Sequence, residues 1–131
     1  MADVISTTQA TIQSQIFTIR GKQVMLDRDL AVLYGVETKR LNEQVRRNLN
    51  RFPGEFMFEL SKDEQNSLRS QFATLKNRGT HSKYLTVAFS EHGILMLSSV
   101  LRSETAVNVG ILIISAFVEM RRFLKDNGEV F

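Results

Sequence analysis

Apolar positions along the chain change their spacing several times, and each change marks a boundary between predicted elements. Residues 1–14, rich in Thr, Gln and Ser, have little apolar period and predict a flexible or helical lead-in. From Gln15 to Leu26 the positions alternate around Gly21, with Phe17 and Ile19 opposite Ile16, Thr18 and Arg20, which predicts a β-hairpin. At Asp27 the period lengthens. Leu30, Leu33 and Tyr34 follow at helical spacing behind Asp27 as N-cap, and Gly35 stops the helix. A second helix is predicted over 37–51, where Leu41, Val45, Leu49 and Phe52 share one sector and Pro53-Gly54 ends the run. Phe56 to Leu60 predicts a strand, and Ser61-Lys62-Asp63-Glu64 is a capping box opening a helix to about Phe72.

After a polar loop over 74–83, Tyr84 to Phe89 predicts another strand, and Ser90-Glu91-His92-Gly93 starts a helix to Leu101. A long helix runs from about Glu104 to Asp126 before Asn127-Gly128. This order predicts an α+β domain over 15–126, followed by a 127–131 tail. Its parts are a helix-turn-helix-like core, a small antiparallel sheet (the N-terminal hairpin plus two short strands) and a long apolar C-terminal helix.

Candidate chemistry concentrates on residues 30–51. Leu30-Ala31, Tyr34-Gly35-Val36 and Leu41 have helix-turn-helix spacing: small Ala31 permits close approach and Gly35 suits a corner needing positive φ. Tyr34, Val36 and Leu41 are expected to lock the pair to the core, and Val45, one position later than usual, predicts a variant geometry. At 100° per residue, Lys39, Glu43, Arg46, Arg47 and Asn50 gather opposite the apolar line, flanked by Arg40 and Arg51. Guanidinium groups suit bidentate contacts with phosphate or guanine, and Asn42 and Asn50 are of the type that reads adenine. The alternative is a plain solvated basic face. A second basic stretch holds Lys76, Arg78 and Lys83; it reads equally as a wing on duplex DNA or as an exposed polar loop.

Composition narrows the classes. The chain has no cysteine, which excludes disulfide scaffolds, thiolate metal sites and thiol nucleophiles. Its net charge is +3, too small by itself to identify a polyanionic partner. The N-terminus lacks the basic-then-apolar pattern of a signal peptide, and the apolar run from Val109 to Val118 is too short for a bilayer span, so no membrane partner and a cytoplasmic location are expected. His81 and His92 lack metal-ligand spacing, and no Gly-rich phosphate loop precedes a helix, so neither catalysis, cofactor nor metal is expected.

The last helix is apolar on nearly every side. Two readings follow: a core helix within one chain, or a homodimer interface formed by Ile111, Ile114, Phe117, Val118 and Phe123. An exposed stripe there would equally serve to capture a repressor protein.

Met25-Leu26-Asp27-Arg28-Asp29-Leu30-Ala31-Val32-Leu33-Tyr34-Gly35-Val36, Leu41-Asn42-Glu43-Gln44-Val45-Arg46-Arg47-Asn48-Leu49-Asn50-Arg51-Phe52-Pro53 and Phe56-Met57-Phe58-Glu59-Leu60 closely resemble the ORF-six-N (open reading frame six, N-terminal) domain, a KilA-N-related module of phages, large DNA viruses and bacterial chromosomes. Ala88-Phe89-Ser90-Glu91-His92-Gly93, Met96 to Leu101 and Ala116-Phe117-Val118 extend the resemblance, from about Gln15 to Phe123. It implies non-catalytic binding of double-stranded DNA, in proteins of regulatory or antirepressor type. It also carries Arg47 and Arg51 over as DNA contacts, with Asn48 and Phe52 left to capping and packing. The loop before the late strand departs from the family pattern, which weakens the wing reading more than the helix reading.

Overall fold

The computed structural model describes residues 9–71 and 85–128. A helix, α1, whose described part covers residues 9–14, buries Ile12 against the core. Strands β1 (Phe17–Ile19) and β2 (Lys22–Leu26) then form a hairpin. Its two-residue turn is Arg20-Gly21, and both residues have positive φ (56° and 74°), the type I′ geometry that matches strand twist. Helix α2 (Asp27–Tyr34) leads through a short corner into α3 (Thr38–Arg47), and a 3-10 turn over Leu49–Arg51 precedes β3 (Met57–Glu59). Helix α4 (Lys62–Gln71), strand β4 (Val87–Ser90) and helices α5 (Glu91–Leu101) and α6 (Glu104–Gly128) complete the described chain.

The strands form one antiparallel sheet in the order β1-β2-β4-β3. Register sets its two faces. Met25 and Met57 both pair with Phe89 and point into the main core, where Leu30, Leu41, Ile94, Leu97, Ile113 and Phe117 are buried. Leu26 and Phe58 both pair with Ala88 and point the other way, into a smaller cluster closed by Leu60 and by Leu68 of α4. The period-2 alternation of β2 therefore feeds two cores.

Helix ends follow their local chemistry. The Ser61–Glu64 capping box forms as expected: Glu64 N–H donates to Ser61 Oγ at 3.1 Å, and Ser61 N–H donates to Glu64 Oε1 at 2.8 Å. Ser90 caps α5 by accepting from Gly93 N–H, and Ser103 Oγ accepts from Ala106 N–H at the start of α6. Two glycines permit close crossings. Gly93 lies where a Cβ would strike the backbone carbonyl of Phe56, and Gly110 lets α6 pass against Ser98 of α5. At that crossing the Tyr34 and Ser98 hydroxyls are 2.7 Å apart, and burial raises the Tyr34 pKa while the Ser98 bond opposes the shift.

Two expectations about helix bounds change. Asp27 is the first residue of α2, with Leu26 at the cap position, and its side chain is buried. The predicted helix over 37–51 ends at Arg47. Asn48 leaves helical geometry (φ −131°, ψ 36°), its amide donates to the Gln44 carbonyl at 2.8 Å, and the chain tightens into the 3-10 turn. That break turns Leu49 outward, 56% exposed, although its spacing placed it on the apolar line. Phe52 recovers the core, packing edge-on against Phe89.

Candidate nucleic-acid interface

The corner between α2 and α3 explains where the basic residues point. Gly35 adopts the left-handed conformation (φ 72°, ψ 33°). Its N–H bonds the Val32 carbonyl at 3.1 Å, and Val36 N–H bonds the Ala31 carbonyl at 3.0 Å, closing a Schellman motif. Tyr34 and Leu41 are buried on either side, as their spacing requires, but Val36 sits at the rim, 36% exposed, and does not lock the corner.

A second clamp was not legible in the sequence. The buried Asp27 carboxylate accepts from Arg28 N–H at 2.8 Å and from Asn42 Nδ2 at 3.0 Å, tying the start of α2 to the flank of α3. One N–H of the half-buried Asn42 amide is thereby engaged by Asp27, so the residue ties the two helices together, a role that its residue type, which points to adenine, does not announce. Arg28, whose backbone N–H that carboxylate binds, is itself an exposed cation at the start of α2. Beside it, burial holds the Asp29 carboxyl above its ordinary range while the Arg28 charge opposes the shift.

With Leu41 and Val45 buried, the opposite face of α3 is fixed outward. Lys39, Arg40, Arg46 and Arg47 are exposed on it, and Asn50 and Arg51 are exposed on the 3-10 turn that continues it. None of these five cations forms an ion pair among the described residues. Three of the other described arginines do: Arg20 holds Glu64 at 2.8 Å and stacks over the Phe58 ring, Arg121 pairs with Glu91, and Arg122 with Glu119, whereas Arg28, Arg69 and Arg102 lie scattered without an ion pair among the described residues. Glu43, half-buried among the cations, neutralises none of them by direct contact.

Helix electrostatics sharpens the contrast. Arg46 and Arg47 in the last turn of α3 complement its dipole, but Lys39 and Arg40 stand in a first turn without an acid, where positive charge is disfavoured. Folding of α3 explains the first pair and leaves the second unexplained. The surface as a whole presents guanidinium groups without carboxylate partners, the arrangement that suits a polyanion.

The remaining predicted contacts divide. Lys76, Arg78 and Lys83 lie outside the described residues. Ile111 and Phe123 are exposed (60% and 62%), Ile114 and Val118 are half-buried, and Phe117 is 1% exposed. Phe117 is corrected to a core residue: it projects into the cluster with Phe89 and Ile113 and is unavailable to another chain. Nor is α6 apolar all round, because Glu104, Asn108, Ser115, Glu119 and Arg122 line an exposed polar face.

Against known proteins, the sequence model of one family, described as the ORF6N domain, matches residues 14–100. No curated protein and no solved structure matches the chain.

Proposed function

This chain belongs to the ORF6N domain family, a phage-type family, and on that premise we propose that it is a DNA-binding regulatory domain. The helix–corner–helix of α2 and α3 acts as a helix-turn-helix, and α3 is its reading helix. The observation that supports this most directly is the cluster of Lys39, Arg40, Arg46, Arg47 and Arg51, exposed and unpaired among the described residues. The N-terminal part of α3 enters the major groove and the later arginines rest on phosphates, with Asn50 at their edge. The homodimer expected from the sequence would carry two such surfaces.

The test is fluorescence anisotropy with duplex DNA across a salt series. Affinity should fall steeply with salt, and Arg47→Ala should make the log–log slope shallower by about one unit. Undetectable or salt-insensitive binding refutes the reading.

A second reading is an antirepressor-type module that captures a repressor protein. It is favoured by apolar side chains left in solvent on α6, Val107 and Ile111 among them. Pull-down with an Arg46→Ala/Arg47→Ala variant separates the two: partner capture that survives without DNA binding supports the second.

A further inference from the structure

We propose that one flank of α6 is the seam of an antiparallel two-fold homodimer of this chain. Glu104, Val107, Ile111, Ile114, Val118 and Arg121 follow one another at spacings of 3, 4, 3, 4 and 3, a heptad a/d row along one side of the helix. The row runs between the two surfaces α6 already uses, with Glu104 at the edge of the polar face and Ile114 packed in part against the core. Ala106, Gly110, Ile113 and Phe117 face the core and α5, while the polar face carries Asn108, Ser115 and Glu119. Between them the flank leaves Val107 and Ile111 more than half exposed (53% and 60%), with Ile114 and Val118 half-buried. Leu95 of α5, 51% exposed, lies level with residues 114–118, because the helices are registered by Gly110 at Ser98 and by Arg121 at Glu91. A helix with a proper polar face does not need a second, apolar one in water.

Charge along the row identifies the occupant. Its first position is an acid, its last a base, and the four between are aliphatic. An antiparallel copy sets Glu104 against Arg121, Val107 against Val118 and Ile111 against Ile114, and the two-fold repeats each layer. A parallel copy would set Glu104 against Glu104 and Arg121 against Arg121. The row is therefore self-complementary in one direction only, as an isologous interface requires. Arg121 already meets Glu91, 23% exposed, so the second copy would add a carboxylate to a guanidinium that still faces solvent. The proposal concerns assembly alone and stands apart from what α3 binds.

The test is the mass of the full chain by light scattering at micromolar concentration, with thermal melts to confirm folding. The wild type should be a dimer and Ile111→Glu a folded monomer. Glu104→Arg should weaken the dimer by roughly tenfold, and adding Arg121→Glu together with Glu91→Gln, which removes the carboxylate that would face the new one, should restore most of that loss by re-pairing the ends. A monomeric wild type overturns the proposal, as does a dimer indifferent to Ile111→Glu. Failure of the charge-swapped pair to recover overturns the antiparallel register. Because the chain has no cysteine, a single Glu104→Cys supplies a further readout. In the antiparallel dimer these thiols sit roughly 25 Å apart and should not crosslink, so efficient disulfide formation also overturns it.

Discussion

Replacing Asp27 with alanine should loosen the hold of α2 on α3 and carry the basic surface with it. The carboxylate is 5% exposed and accepts two hydrogen bonds, from Arg28 N–H at 2.8 Å and Asn42 Nδ2 at 3.0 Å. Bonds to a charged acceptor contribute about 1.5–3 kcal/mol each, and the substitution also strands the half-buried Asn42 amide. Against this stands the desolvation of a buried carboxylate, which alanine relieves, so the net loss should be about 2–4 kcal/mol. For a chain of this length that lowers the melting temperature by roughly 8–15 °C. Urea denaturation of wild type, Asp27→Ala, Asn42→Ala and the double variant measures it. The two single losses should overlap by about 1–2 kcal/mol in the cycle, because each deletes the same bond. Additive losses, or an Asp27→Ala loss below about 0.5 kcal/mol, would refute the clamp.

Gly93→Ala should prevent folding or cost more than about 3 kcal/mol, since the added carbon meets the Phe56 carbonyl, a backbone atom with no rotamer to escape into; circular dichroism and soluble yield check it. Gly110→Ala should cost about 1–3 kcal/mol by pressing on the Ser98 side chain, whose Cβ would be 3.1 Å away, and adding Ser98→Ala should recover only part of the melting temperature because Tyr34 then loses its partner. The Arg20 guanidinium and then the Ser61 N–H hold the Glu64 carboxyl down to about 2. Unfolded, it titrates at about 4.3, so the stability it contributes is present above that pH and is lost as pH falls toward the folded value. Glu64→Gln should flatten that part of the stability–pH curve; an unchanged curve would remove the pair from the account.

The order of elements was legible because its boundaries are written locally. Gly35, Pro53-Gly54 and the Ser61–Glu64 box each end or begin a helix with side chains only a few residues away. The strand order was not, since β4 inserts between β2 and β3 through pairings such as Met25 with Phe89 that join residues far apart in the chain. The outward basic face could be read from one helix, because burial of Leu41 and Val45 leaves a single orientation. The break at Asn48 could not: spacings of 4, 4 and 3 from Leu41 to Phe52 fit a continuous helix as well as an interrupted one, and the anchoring of Phe52 on Phe89 is tertiary. Asn42 shows the same limit in chemistry, because an amide suited to a base edge is equally suited to a neighbouring carboxylate. On α6 the abundance of apolar side chains hides a row with acid and base at its ends, and it fits Phe117 to a dimer interface as well as to the core in which it lies.

The two faces of the sheet are covered unequally. Helices α2, α3, α5 and α6 seal Met25 and Phe89, while over Val24 and Ala88 the described cover is α4, whose deepest side chain is Leu68. Native-state hydrogen exchange should therefore resolve into two tiers, with amides of α4 opening at low free energy and those of α5 and the middle of α6 exchanging only on global unfolding. Since α3 is moored to the slow tier, partial melting at the weaker side would leave the orientation of its arginines intact.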